Sequence, residues 1–170
     1  DGVADERTVL VERLLGGGPS ALRLAGDLVA VTGQGAGKPI SILRLGETPT
    51  DPLIPLGNIF ISYSGNWLHP HSALALRQRP GQPGTYELVF HLGSEVNFAK
   101  TQRTLSLTST IGVEGQLSGD SVFMITLTDD GENVTGSDLT HLATGLRSGA
   151  GYAFHPVTGD LYIQDNGIDG

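Results

Sequence analysis

With 170 residues, 38% of them hydrophobic, 25 glycines and no cysteine, the chain is long enough for one domain with its own core and cannot rely on disulfides. A net charge of −8, with ten scattered Lys and Arg, argues against a nucleic-acid backbone or an anionic membrane as partner, because both repel an acidic protein. No apolar run approaches the roughly 20 residues needed to cross a bilayer as a helix, so no membrane span is expected.

Abundant glycine among short β-prone runs points to many strands joined by turns, and the expected class is all-β. Asp1 to Arg7 is polar. Arg7 to Leu15 comes nearest to a helical pattern, but Thr8, Val9 and Val11 favour a strand over Thr8 to Leu15, stopped by Gly16 to Ser20. Ala21–Ala25, the pair Gly26-Asp27 and Leu28–Val31 read as a hairpin. Gly33 to Pro39 superficially suits a phosphate loop, yet Thr32 and Pro39 stand where that motif needs Gly and Ser or Thr, so it reads as a turn before strand Ile40–Leu45. Glu47 to Gly57 holds three prolines and reads as a loop or edge segment. Asn58–Ser62 follows as a strand.

Tyr63 to Pro70 carries the only Trp and leads into His69-Pro70-His71. Two histidines at i and i+2 in extended chain share a face, a usable metal-ligand spacing, with rim histidines as the plain alternative. Ser72–Arg77 and Tyr86–Phe90, joined through Gly84, form a second hairpin. Gly93 to Arg103 is a polar loop carrying Glu95, Asn97 and Lys100. Thr104–Thr110 alternates as a strand, Gly112 to Asp120 is turn-rich, and Ser121–Thr128 is the most continuous apolar strand. Asp129 to Asn133 is an acidic turn, and Asn133-Val134-Thr135 is a glycosylation sequon. Gly151–His155, the turn Pro156 to Gly159 and Asp160–Asp165 make a third hairpin. From Asp165 the chain resembles the start of a calcium loop, with Asp at its first and fifth positions (Asp165 and Asp169) and Gly at the sixth.

The three hairpins, marked by Gly26, Gly84 and Gly159, recur at roughly 60 to 75 residues, and such repetition suggests radial repetition of a small sheet. The expected blades run over about 8–62, 63–128 and an incomplete 129–170.

A resemblance enters on an ordered string of motifs: Ser121–Ile125 leading to Asp130-Gly131, then Ala143-Thr144-Gly145-Leu146-Arg147, Gly151–Pro156, Gly159–Tyr162 and Asp165-Asn166-Gly167. This run resembles the glucose/sorbosone dehydrogenase family, and His71–Leu76 with Tyr86–Asn97 resembles it more weakly. The resemblance implies about half of a six-bladed β-propeller, with the remainder of the ring as a partner. It also implies a quinoprotein that oxidises a sugar or related aldehyde or alcohol with pyrroloquinoline quinone (PQQ). On that reading His71 removes the substrate proton and Arg147 stabilises the developing oxyanion. Arg147, Ser148 and Asn166 would bind the cofactor, and Asp165 and Asp169 would bind calcium. The chain departs from the family at Ser148, where Asn is usual, and at Leu74, where Arg or Gly is frequent.

These departures support an alternative, a non-catalytic propeller binding module that has lost the quinone site. A third reading is a self-contained sandwich or half-propeller that dimerises to close its edges. An acidic, cysteine-free chain beginning at Asp1 without Met fits a periplasmic or extracellular protein.

Overall fold

Leu28–Thr32 (β2) and Ile40–Arg44 (β3) are almost wholly aliphatic or β-branched, so they can be buried on both faces, and both become inner strands of one sheet. The computed structural model describes residues 7–15, 18–33, 35 and 37–167. Within them the chain is all-β, with twelve strands in three antiparallel sheets and no helix.

The first sheet adds β1 (Ala21–Ala25), β4 (Ile54–Ile61), β7 (Thr104–Ser109) and β8 (Gly115–Ser118), in the order β1-β2-β3-β4-β7-β8. The second contains β5 (Leu74–Gln78), β6 (Thr85–Leu92), β9 (Ser121–Asp129) and β10 (Val134–Thr144), in the order β10-β9-β6-β5. Alternation explains how they face one another. Leu28, Ala30, Ile40, Ile42 and Ile59 of the first sheet share one core with Leu74, Leu88, Phe90, Ile125 and Leu127 of the second. Two sheets on a common core are the layers of a β-sandwich.

The outward residues of β6 and β9 are also covered. The third sheet, β11 (Gly149–Phe154) with β12 (Leu161–Asp165), lies against the second and joins Ala73, Ala75, Val89 and Val122 in a smaller cluster through Tyr152, Phe154, Leu161 and Ile163. On the far side of the first sheet, Leu14 and Leu53 cover Val29, Val31 and Leu43.

All three expected hairpins form, and each marker glycine adopts the left-handed backbone its turn requires (φ +58° at Gly26, +74° at Gly84 and +77° at Gly159). The expected blade boundaries do not follow the sheets. Strands β7 and β8 fall within 63–128, yet β7 pairs with β4 of the first sheet. Turn glycines specify which neighbours pair locally; they do not specify which layer a hairpin joins. Among the described residues two layers share one core, and the chain passes from the second sheet back to the first between β6 and β7.

Other expectations also shift. Residues 8–15 form no strand but run as irregular cover, and Leu10 accepts a backbone bond from Leu53. Strand β4 starts at Ile54 inside the proline-rich stretch, and Pro55 is accommodated at a register shift against β3. Strand β8 occupies a stretch that reads as turn-rich, and β10 a stretch for which no strand was expected. Part of the Gly16–Ser20 stop, Gln34 and Ala36 of the glycine-rich loop, and Asp169 lie outside the described residues. No helix among the described residues is long and apolar enough to cross a membrane.

Candidate functional site

Strand β6 ends at Leu92, and Gly93 follows where three segments converge. The Gly93 carbonyl accepts from Trp67 Nε1 (3.1 Å) and from the Asp120 backbone N–H (3.3 Å). The Ser94 N–H donates to the Arg147 carbonyl (2.8 Å), and the His69 and Leu68 N–H groups donate to the Ser94 and Glu95 carbonyls (each 3.0 Å). Only glycine fits here, because a Cβ would overlap the Arg147 carbonyl oxygen and lie 2.7 Å from that of His69. Residues 67–69, 93–95, 120 and 147 are thus stitched together at one end of the second sheet.

This stitching gathers six of the residues singled out in the sequence. Asp165, the last residue of β12, accepts the Ser148 N–H at Oδ1 (2.7 Å) and the Arg147 N–H at Oδ2 (3.2 Å). The Asn166 N–H donates to the Ser148 carbonyl (2.9 Å). The Arg147 guanidinium donates through Nε to Asn97 Oδ1 (2.8 Å) and through one terminal nitrogen to the carbonyls of Asn166 (3.2 Å) and Gly167 (3.0 Å). His69 Nε2 donates to the same Asn97 oxygen (3.1 Å).

His71 is placed differently. It is 1% exposed, and its ring stacks on Tyr63. Its Nε2 lies 2.7 Å from the Lys38 carbonyl, which can only accept, so Nε2 carries the proton. The lone pair on Nδ1 then accepts from the Tyr63 hydroxyl (2.8 Å), and that oxygen in turn accepts the His71 backbone N–H (2.9 Å). Burial, opposed only in part by the Lys38 carbonyl, lowers the His71 pKa to about 4. Burial likewise pushes the Tyr63 hydroxyl well above its ordinary value. The i, i+2 histidine pair does not share a ligand position: His69 binds Asn97 while His71 binds Tyr63 and Lys38.

Between the 94–101 loop and the segments 144–147 and 165–167 lies an open cleft of about 600 Å³. Val96, Phe98 and Leu146 supply apolar lining, and Lys100, Arg147, Asp120 and Asp165 supply charge. The Asp120 carboxylate is occupied by the N–H and hydroxyl of Thr101 (both 2.7 Å), as Asp165 is by its two amides. Ser94 lines the cleft with its hydroxyl buried and without a hydrogen-bond partner. At the rim, Phe98 is 72% exposed and adopts φ +63°, a left-handed conformation that is a genuine outlier for an aromatic residue.

Two residues before Gly93, in β6, sits a second buried histidine, His91. It is 1% exposed with a partner at neither ring nitrogen, and it packs against Tyr152, whose buried hydroxyl is also unpartnered. Burial, with the neighbouring His71 adding to it, lowers the His91 pKa to about 4, while Asp165 and the Pro70 carbonyl act in the opposite sense without completing a hydrogen bond. A Cβ on Gly149 would collide with the Tyr152 hydroxyl, so this glycine leaves the space the ring occupies.

The sequence singled out the Asn97 and Lys100 loop and the Arg147 to Asn166 group, but it missed Ser94, Phe98 and Asp120 as members of one cleft. The only signal for them was position at strand ends, which is shared by many polar residues. Among the described residues no group of three or more His, Asp or Glu converges on a point that could hold a metal ion.

Comparison of the chain with protein-family models, with curated proteins and with solved structures finds no match in any of the three.

Proposed function

We propose that the chain is a non-catalytic binding module, a β-sandwich that receives a small ligand in the cleft between the 94–101 loop and residues 144–147. The observation that carries this reading is the state of His71. A general base must offer a lone pair to the proton it removes. The Nδ1 lone pair of His71 is occupied by Tyr63, Nε2 is committed to Lys38, and the ring is shut away from solvent. A dehydrogenase of the resembled type would have to dismantle that network before reaching a substrate.

The donor set also speaks against the implied cofactors. PQQ is a polycarboxylate, and in this cleft it would meet Asp120 and Asp165 beside Lys100 and an Arg147 already held by Asn97 and two carbonyls. Calcium would need several oxygen ligands, but Asp165 directs both carboxylate oxygens to backbone amides. Asp169 lies outside the described residues.

A second reading retains the quinoprotein dehydrogenase, with the β11–β12 hairpin belonging to a blade of a larger ring. It is favoured by the gathering of Arg147, Ser148, Asp165 and Asn166 at one place. Mixing the protein with PQQ and calcium discriminates between the two. The binding-module reading expects an unchanged quinone spectrum and no aldose-dependent dye reduction, and either signal would restore the enzyme. Its positive counterpart is a nitrogen-15 NMR screen with monocyclic fragments, neutral and charged. Shifts should concentrate at 94–100 and 144–147, and fragments that bind only elsewhere would end the cleft assignment.

A further inference from the structure

We propose that the cleft selects a small monoanionic ligand with an apolar or aromatic body, a free carboxylate being the fitting chemistry. This inference rests on the binding-module reading and names the ligand class of the same site.

The charges lining the cleft carry the argument. Asp120 and Asp165 already have donors at both carboxylate oxygens, and Arg147 is held by Asn97 and two carbonyls. Lys100 is different: it is exposed, lines the cleft, and among the described charged residues there it is the one whose charged end has no ion pair or hydrogen bond. Lys100 and Arg147 balance Asp120 and Asp165 in the cleft, so one cation with donors to spare favours one carboxylate, and no second such cation meets a further negative charge. A dianionic phosphate is therefore disfavoured relative to a carboxylate.

The uncharged lining selects the rest of the ligand. Phe98 is 72% exposed and Val96 is 47% exposed, and both flank the cleft together with Leu146. A large side chain held outward in a strained backbone is stabilised when an apolar partner covers it. The Ser94 hydroxyl, in a residue 5% exposed that lines the cleft, is unpartnered. A ligand with one carboxylate, an adjoining polar atom and a ring satisfies all three features at once.

The test compares three compounds with the same ring in nitrogen-15 NMR titrations of the full chain: phenylacetate, neutral 2-phenylethanol and phenyl phosphate. Phenylacetate should saturate and shift the amides of 94–100 and 144–147, whereas 2-phenylethanol should bind about three- to fivefold more weakly, the value of one exposed ion pair. Lys100→Gln should erase that difference by weakening phenylacetate alone. Phenyl phosphate should bind no more tightly than phenylacetate. Equal binding of the neutral compound, unaffected by Lys100→Gln, overturns the anion preference and leaves the cleft as a binding site. Tighter binding of phenyl phosphate overturns the monoanion assignment. If none of the three shifts the cleft amides while neutral fragments of other shapes do, the ligand class falls alone. If nothing binds there, the binding-module reading falls with it.

Discussion

Two buried histidines sit on neighbouring parts of this fold, and their environments are opposite. His71 has a partner for each ring nitrogen; His91, equally buried, has a partner for neither. Burial alone therefore does not mark a functional histidine. A satisfied one fixes the structure around it, here the 35–39 loop and Tyr63. An unsatisfied one contributes little to holding its surroundings and leaves polar groups unanswered beside the candidate site.

The two regions meet at Gly93, and the largest expected effect lies there. Gly93→Ala sets a methyl group against two backbone carbonyls, those of Arg147 and His69, and neither can swing aside as a side chain would. The substitution should destabilise the protein by about 3 to 5 kcal/mol in urea unfolding. It should also scatter the NMR signals of both histidine regions. A loss below about 1 kcal/mol would mean that the junction is not shared.

Next comes the contrast between the histidines themselves. His71→Leu strands the Tyr63 hydroxyl and the Lys38 carbonyl in a buried place, at a cost of about 2 to 4 kcal/mol. His91→Leu removes two unpartnered polar nitrogens and should leave stability within about 1 kcal/mol of the parent. Equal losses from the two substitutions would contradict the distinction.

Acid should act on both. Each imidazole is neutral in the fold with its pKa lowered to about 4, against 6.5 when exposed. Below pH 6.5 the unfolded chain therefore binds protons that the folded chain refuses, so stability is full above that pH and declines as pH falls towards 4. At about 1.4 kcal/mol per pKa unit, each histidine accounts for a loss on the order of 3 kcal/mol in that window. Urea midpoints measured from pH 7 to 4 should fall steeply in the parent and less steeply in His91→Leu. Identical slopes would show that His91 is hydrated in the fold.

How much of this was legible in the sequence divides along the same line. Local features were readable: the hairpin glycines, the alternation of Thr104–Thr110 and the continuous apolar run Ser121–Thr128. Each of these follows from neighbours along the chain or across one turn. What could not be read was which layer each hairpin enters, because β7 and β8 follow β6 in sequence but pair beside β4. The role of His71 was hidden for the same reason. Its partners, Tyr63 and Lys38, reach it only after two loops fold over the sheet end. Strand β10 was obscured by its polar composition and by two register shifts against β9, between Ser137 and Thr140 and between His141 and Ala143.

The smallest effect concerns the rim of the cleft, where stability and binding should part company. Phe98 holds φ +63° with its ring mostly in solvent, so the fold gains little from the ring and bears the strain of the backbone. Phe98→Gly relieves that strain, although the unfolded chain also gains freedom, which offsets part of the benefit. The net change should be small and favourable, about 0.5 kcal/mol in thermal or urea unfolding. The same substitution removes the apolar lip beside Lys100, and phenylacetate binding should weaken several-fold. A variant that is both more stable and poorer at binding would identify Phe98 as a residue retained for its ligand. Destabilisation by more than about 1 kcal/mol would instead make its ring part of the packing.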